Sequence, residues 1–209
     1  MKLDSIYCLY SEGILKDINF TFTNNKLYYI VVPDDKIANR LFELITLMAP
    51  IMEGKFYINN LEVSAFSYKK KTILRRENMG LLFKDILLDK DLTIYENVLL
   101  PLLNIKTNNK KEKVNALLDK YKLSKVSNYY PSDLSLYQKQ LTSLARALIN
   151  NPQFIIALMP TDLMTKNNEE KFYQELKNIS HDRGVIIISK RVKYQNLADE
   201  IIFYENKRL

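Results

Sequence analysis

Tryptophan is absent from this chain, cysteine and histidine occur once each, and glycine occurs only four times in 209 residues. A single Cys8 forms no internal disulfide, so the fold cannot lean on cross-links and suits a reducing compartment. Cys8 reads most simply as a partly buried apolar residue. With four glycines, backbone sites that need glycine conformations cannot be numerous. Six prolines and four glycines, against 11% aromatic residues, give no sign of disorder. No apolar run approaches the roughly 18 residues of a membrane helix. The opening MKLDSIYCLYSEG interrupts its apolar residues with Asp4, Ser5 and Glu12, which is not the pattern of a signal peptide.

The chain does have 47% hydrophobic residues and a net charge of +7. That is enough apolar material for one large core, with or without a small attached subdomain. Cations gather at Lys69–Lys71 with Arg75 and Arg76, and at Lys106, Lys110, Lys111 and Lys113. They suit a solvated face, or a surface for nucleic acid or anionic lipid.

Periodicity gives the order of elements. INFTFT (Ile18–Thr23) alternates like a half-buried strand, and LYYIVV (Leu27–Val32) reads as a buried one. A helix follows to about Met48, Gly54 opens the strand KFYIN, and MGLLF (Met79–Phe83) is a short apolar strand. TIYENVLLPL is helical from a Thr93 cap toward Pro101, and NNKKEKVNALLDKY (Asn108–Tyr121) is amphipathic. Ser135 and Gln138 form a capping box at the head of SLYQKQLTSLARALINNP, which Pro152 ends. FIIAL (Phe154–Leu158) and VIIIS (Val185–Ser189) have the character of strands covered on both faces. A helix around Asn167–Ile179, closed by Gly184, joins them, and DEIIFYE (Asp199–Glu205) is a last strand. The expected fold is α/β, with a mainly parallel sheet, an antiparallel β subdomain in the first sixty residues and a helical middle at about 85 to 145.

One turn poses a chemical question. In VVPDDKIANRLFELI (Val31–Ile45) a strand turns sharply into a helix, the place where many α/β proteins hold phosphate. Yet the turn has no glycine, and it carries Asp34 and Asp35. It is a phosphate site, the ruin of one, or an ordinary turn.

Three stretches resemble one family, the nucleotide-binding subunits of ABC transporters, and within it the FtsE-type cell-division ATPase. RRENMGLLFKDILLDKDLTIYENVLLPL (Arg75–Leu102) is similar to the Q-loop segment and the start of the helical subdomain. YYPSDLSLYQKQLTSLARALINNPQFIIALMPTDLM (Tyr129–Met164) is similar to the signature helix and Walker B strand. GVIIISKRVKYQNLADEIIFYENKRL (Gly184–Leu209) is similar to the switch region and closing strands. Lipoprotein- and macrolide-export relatives share the ENVLLPL pattern. The resemblance implies a P-loop NTPase-like ABC ATPase fold as one domain over 1–209. About 1–84 and 153–209 would form the core with its β subdomain, and about 85–150 the helical subdomain.

The departures from the family pattern are systematic. Its phosphate loop, Gly-x-x-Gly-x-Gly-Lys-Ser-Thr, falls on Val32 to Arg40, where no glycine stands, the lysine position is Ala38 and the magnesium hydroxyl position is Asn39. The Q-loop glutamine position is Lys84. In the signature Ser135 and Gln138 remain, but the glycines between them are Leu136 and Tyr137. The Walker B aspartate position is Leu158, the catalytic glutamate position Met159, the D-loop aspartate position Thr165 and the switch histidine position Lys190. His181 lies at a helix end, too far along the chain to stand in, and reads as a surface or capping histidine. The nucleotide contacts left to consider are the aromatic Tyr10 together with Lys36, Ser135 and Gln138.

Physically, a phosphate loop aims successive backbone N–H groups into a concavity and adds a lysine. Two like charges about 4 Å apart repel by about 1 kcal/mol in water and about 4 kcal/mol at an effective dielectric of 20, so aspartates here oppose a triphosphate. An aspartate before a helix is, however, a good cap. The turn therefore reads as a ruined phosphate site in which a carboxylate caps the helix. Leu158 and Met159 likewise offer magnesium no oxygen and no group to orient water.

These losses imply a pseudo-ATPase with no catalytic residues, no metal site and no expected cofactor, kept for what its fold binds. The resemblance implies an FtsX-like membrane partner, a role in cell division through septal peptidoglycan hydrolases, and a cytoplasmic place on the inner face of the membrane. The partner surface would use Phe83, Lys84, Asp85, Ile86, Leu87, Leu88, Leu92 and Tyr95. A homodimer within the complex, or a pairing with an intact ATPase, is open. One alternative is an active subunit, of FtsE or lipoprotein-export type, that holds Mg-ATP through unusual ligands such as Lys36 and Lys84. A nucleic-acid-binding module is a further alternative, but no reading motif supports it and no nucleic acid is expected.

Overall fold

The computed structural model describes residues 5–12, 15–51, 54–103, 105–162, 164–191 and 194–204, the first twelve positions of β1 and β2 through residue 18 by backbone alone. Strands β1 (Ser5–Glu12), β2 (Leu15–Thr23), β4 (Lys55–Ile58) and β5 (Leu61–Glu62) form an antiparallel sheet in the order β2-β1-β4-β5. Strands β3 (Leu27–Val31), β6 (Met79–Leu82), β7 (Phe154–Leu158), β8 (Gly184–Ser189) and β9 (Glu200–Phe203) form a second sheet in the order β6-β7-β8-β3-β9, parallel throughout. Parallel neighbours need crossovers, and the helices between them supply these.

The central strands are buried on both faces, as their unbroken apolar runs require. Alternation sorts their side chains into two cores. Ile30, Ile156, Ile186 and Ile188 face one core together with helix α1 (Asp35–Ile45). Tyr29, Ile155, Ala157, Val185 and Ile187 face the other, which includes helices α3 (Ile94–Leu99), α4 (Lys110–Lys120), α5 (Leu136–Leu148) and α6 (Lys166–Ser180). The capping boxes at Thr93/Glu96 and Ser135/Gln138 form with both reciprocal bonds, which fixes where α3 and α5 begin.

Three details differ from the sequence reading. Helix α2 (Tyr68–Asn78) has no clear apolar stripe and was not expected; a Ser67 side chain caps it. Gly184 does not cap α6, which ends at His181; it opens β8 against the ring of Phe154, where an added Cβ would lie 2.2 Å from a ring carbon. The first basic cluster is not wholly a solvated face. Lys71 is buried and donates to the Ser64 carbonyl at 2.7 Å, and Arg75 donates to the carbonyl of Leu47 at 3.2 Å. Burial lowers the Lys71 pKa. His181, by contrast, is the exposed helix-end residue its position suggested.

Candidate functional site

The candidate site lies at the start of α1, where β3 delivers the chain to Pro33, Asp34 and Asp35. The Asp34 carboxylate accepts from the Ile37 amide at 2.8 Å and caps the helix. Asp35 turns the other way. Lys84, two residues beyond β6, reaches its Oδ2 at 3.0 Å, and Lys190, just beyond β8, lies 2.6 Å from its Oδ1. Lys84 also stands 3.8 Å from Asp162, which follows β7. Lysines beyond the ends of β6 and β8 thus converge on one carboxylate in the first turn of α1, with Asp162 beyond β7 beside Lys84. Lys190, followed by Lys84, holds the Asp35 carboxyl below the usual aspartate range. Asp35 in turn raises the Lys84 ammonium. The turn carries its own anion and its own cations.

The floor beside this cluster is dry. Leu158 ends β7 at 6% exposure and Met159 follows at 1%, both in the core that holds Val32, Ile37 and Ala38. Met159 takes φ 41°, a left-handed backbone where most members of an L-residue chain are strained, and its amide donates to the Ile188 carbonyl. Asn39 is exposed, and so is Lys36, for which no ion pair is seen among the described residues. Ser135 and Gln138 spend their polar groups on each other: the Gln138 amide donates to Ser135 Oγ at 3.3 Å, and Gln138 Oε1 accepts from the Ser135 amide at 3.0 Å. The Tyr10 side chain lies outside the described residues. Among the described residues no group of His, Cys, Asp and Glu could hold a metal.

The comparisons with known proteins bear on this geometry. The family model for the ABC transporter matches residues 15–161. The chain belongs to the ABC transporter family. The ABC transporter ATP-binding protein YtrE of Bacillus subtilis is 30% identical over 177 residues, 84% of this chain and 77% of that protein. The lipoprotein-releasing system ATP-binding protein LolD of Wigglesworthia glossinidia brevipalpis is 26% identical over 94% of this chain and 87% of its own. The solved dimer of the Methanocaldococcus jannaschii cassette MJ0796, bound to ADP and Pi, superposes with a TM-score of 0.83 at 26% identity, covering 98% of this chain and 94% of that one. The ABC ATPase fold expected from the sequence is therefore the fold observed.

Within this ABC fold the segment expected to meet a partner divides in three. Lys84 belongs to the Asp35 cluster and is not a free docking residue. Phe83 packs edge-on against Phe42 at 5.2 Å, and Tyr95 and Ile86 are half-buried, Tyr95 against the second core. Leu87 is 56% exposed and Asp85 is exposed, while Leu88 and Leu92 are half-buried. Phe83 also lines a cleft of about 220 Å3 with Leu81, Pro101 and Arg146, and Arg146 donates to the Leu87 carbonyl.

Two features escaped the sequence reading. Asn97 is fully buried and organises the segment: its Nδ2 donates to the carbonyls of Asp89, Leu92 and Thr93, and its Oδ1 accepts from the Asp89 amide at 2.8 Å. Nothing but its place on the inner face of α3 announced this. The meeting of Lys84 and Lys190 at Asp35 did leave a trace, since both of those positions are cationic and the turn is acidic.

A gain-of-binding result is expected for Asp35→Ala. It removes the carboxylate that Lys84 and Lys190 share at the start of α1, leaving Lys190 without its partner and Lys84 with Asp162 alone at 3.8 Å. Inorganic phosphate should then raise its melting temperature. At ten times the Kd the stabilisation is about 1.4 kcal/mol, roughly 4 °C for a chain of this size. The unaltered protein should not respond. Because the folded pKa of Asp35 is lowered, the support it gives is full above the ordinary aspartate range and is lost as pH falls through the lowered value.

Proposed function

We propose that this chain is a non-hydrolysing ABC cassette of FtsE-like type, which serves as the cytoplasmic subunit of a membrane complex and docks an FtsX-like partner in cell division. The observation that carries the reading is the closed cluster of Asp35 with Lys84 and Lys190. In an active cassette the start of this helix must receive phosphate groups. Here a carboxylate already holds that position and two lysines already neutralise it. Leu158 and Met159, buried in an apolar core, give no magnesium ligand and no group to orient water. No metal, no nucleotide cofactor and no nucleic acid enter this reading.

The docking surface of the proposal is the cleft of Phe83, Pro101 and Arg146 with the exposed Leu87 at its edge. Asn97 and Arg146 hold the backbone of this segment in place, so that it is presented in one conformation. In this reading the chain attaches through this surface; among the described residues no helix is long and apolar enough to cross a membrane. A dimer like that of MJ0796 is compatible with the reading, either with a second copy or with an intact cassette.

Calorimetric titration of the purified chain with Mg-ATP, alongside a thermal-shift scan, tests the reading. The expected result is no heat and no change in melting temperature at millimolar nucleotide. Saturable binding with stabilisation would replace the proposal with that of an active ATPase whose lysines at 36, 84 and 190 hold the phosphates after Asp35 swings away.

A further inference from the structure

A second cleft lies beside the first and differs in charge. It has a volume of about 430 Å3 and is lined by Arg76 from α2, Leu102 and Ile105 from the segment after α3, and Lys106 and Lys113 around the start of α4. Its floor is apolar, with Leu102 at 1% exposure. Arg76, Lys106 and Lys113 are all exposed, and none of the ion pairs among the described residues involves them. Among the described residues Glu77 is the only acid in the lining. Three cations ring this concavity and share its lining with one acid. The cleft shares Arg76 and Asn150 with the cleft of Phe83 and Pro101, so the two form one continuous surface. Leu103, in sequence between the two floor residues, stands 55% exposed.

We propose that this basic cleft binds the phosphate headgroup of an anionic phospholipid, so that the cassette touches the bilayer directly beside its partner. The ring of cations matches a phosphate diester, the apolar floor matches the glycerol region beneath it, and Leu103 is placed to enter the interfacial zone. The side of the molecule that faces the bilayer is taken from the proposed function, but the binding chemistry is not. An acidic protein segment would want a longer basic track with less apolar floor.

Each lysine or arginine close to an anionic bilayer is worth roughly fivefold in partitioning at physiological salt, so three contribute roughly a hundredfold. The test is co-sedimentation of the purified chain, without any partner, with phosphatidylcholine vesicles that contain or lack phosphatidylglycerol. Binding is expected only to the anionic vesicles. Arg76→Gln with Lys106→Gln and Lys113→Gln should weaken it roughly a hundredfold. A control of equal charge, Lys125→Gln with Lys166→Gln and Lys171→Gln, alters exposed lysines outside the cleft and should weaken it no more than a few-fold. Should the first triple variant melt early, the pair Lys106→Gln and Lys113→Gln carries the comparison. Absence of binding to anionic vesicles, or equal loss in both sets, overturns the proposal. Neither outcome touches the nucleotide result, because the vesicle assay contains no nucleotide.

Discussion

Met159→Glu should destabilise the protein by about 4 kcal/mol near neutral pH and restore no hydrolysis. The substitution returns a carboxylate to the position where the family resemblance expects the catalytic one. Met159 is 1% exposed and shares its core with Val32, Ile37 and Leu158. A carboxylate there finds little water, and desolvation favours its neutral form. Its folded pKa is therefore raised. For an acid with a raised folded pKa, stability falls as pH climbs from the unfolded value of about 4.3 to the folded one. The loss should be small near pH 5 and full near pH 8, whereas Met159→Gln should show a loss that does not vary with pH. Thermal melts of both variants across that range check this; 4 kcal/mol corresponds to roughly 12 °C for a chain of about this length. A Glu variant that melts like the parent at pH 8 would mean that the end of β7 is wet.

Asn97→Ala should cost about 3 kcal/mol and loosen residues 85–93. The alanine leaves the Asp89 amide and the carbonyls of Asp89 and Leu92 without the partner that the Asn97 side chain supplied, while the Thr93 carbonyl keeps the bond from the backbone amide of residue 97. A buried polar group stripped of its bond costs about 1–3 kcal/mol, and some of these groups will find water instead. Hydrogen exchange should show the Asp89 amide losing protection first, ahead of the strands of the parallel sheet. Asn97→Asp is the informative companion: it keeps the acceptor for the Asp89 amide but gives up all three donated bonds. If Asn97→Ala leaves exchange at Asp89 unchanged, Asn97 is not what orders the segment.

The elements of the sheet were legible because their residues obey simple periods. FIIAL is apolar at every position and VIIIS at all but its last, Ser189, and the structure buries every one of those positions. Ser135 and Gln138 stand at the spacing of a capping box, and the box forms. Helix α2 was hidden because its sequence, YKKKTILRREN, shows no apolar stripe; beside Leu74 its inward contacts come from Lys71 and Arg75, which bond carbonyls of Ser64 and Leu47 elsewhere in the chain, and from Asn78, which bonds the Leu74 carbonyl of the helix itself. At the site, the cap by Asp34 followed from local rules, since it bonds an amide three residues on. The role of Asp35 did not, because Lys84 and Lys190 lie far along the chain and only the parallel sheet brings their strand ends together. The same is true of Asn97, whose partners are close in sequence but whose burial depends on α3 packing into the second core.

The ion cluster at Asp35 also changes how the molecule responds to its surroundings. A nucleotide is present at a concentration set by metabolism, and a site that depends on it fills and empties with that supply. Asp35, Lys84 and Lys190 are tethered to one another by the chain, so their effective concentration at the site is fixed by the fold. Such a ligand cannot be diluted, exchanged or consumed. Under the proposed function, what an ordinary cassette would sense as the energy state of the cell this one would carry as a constant.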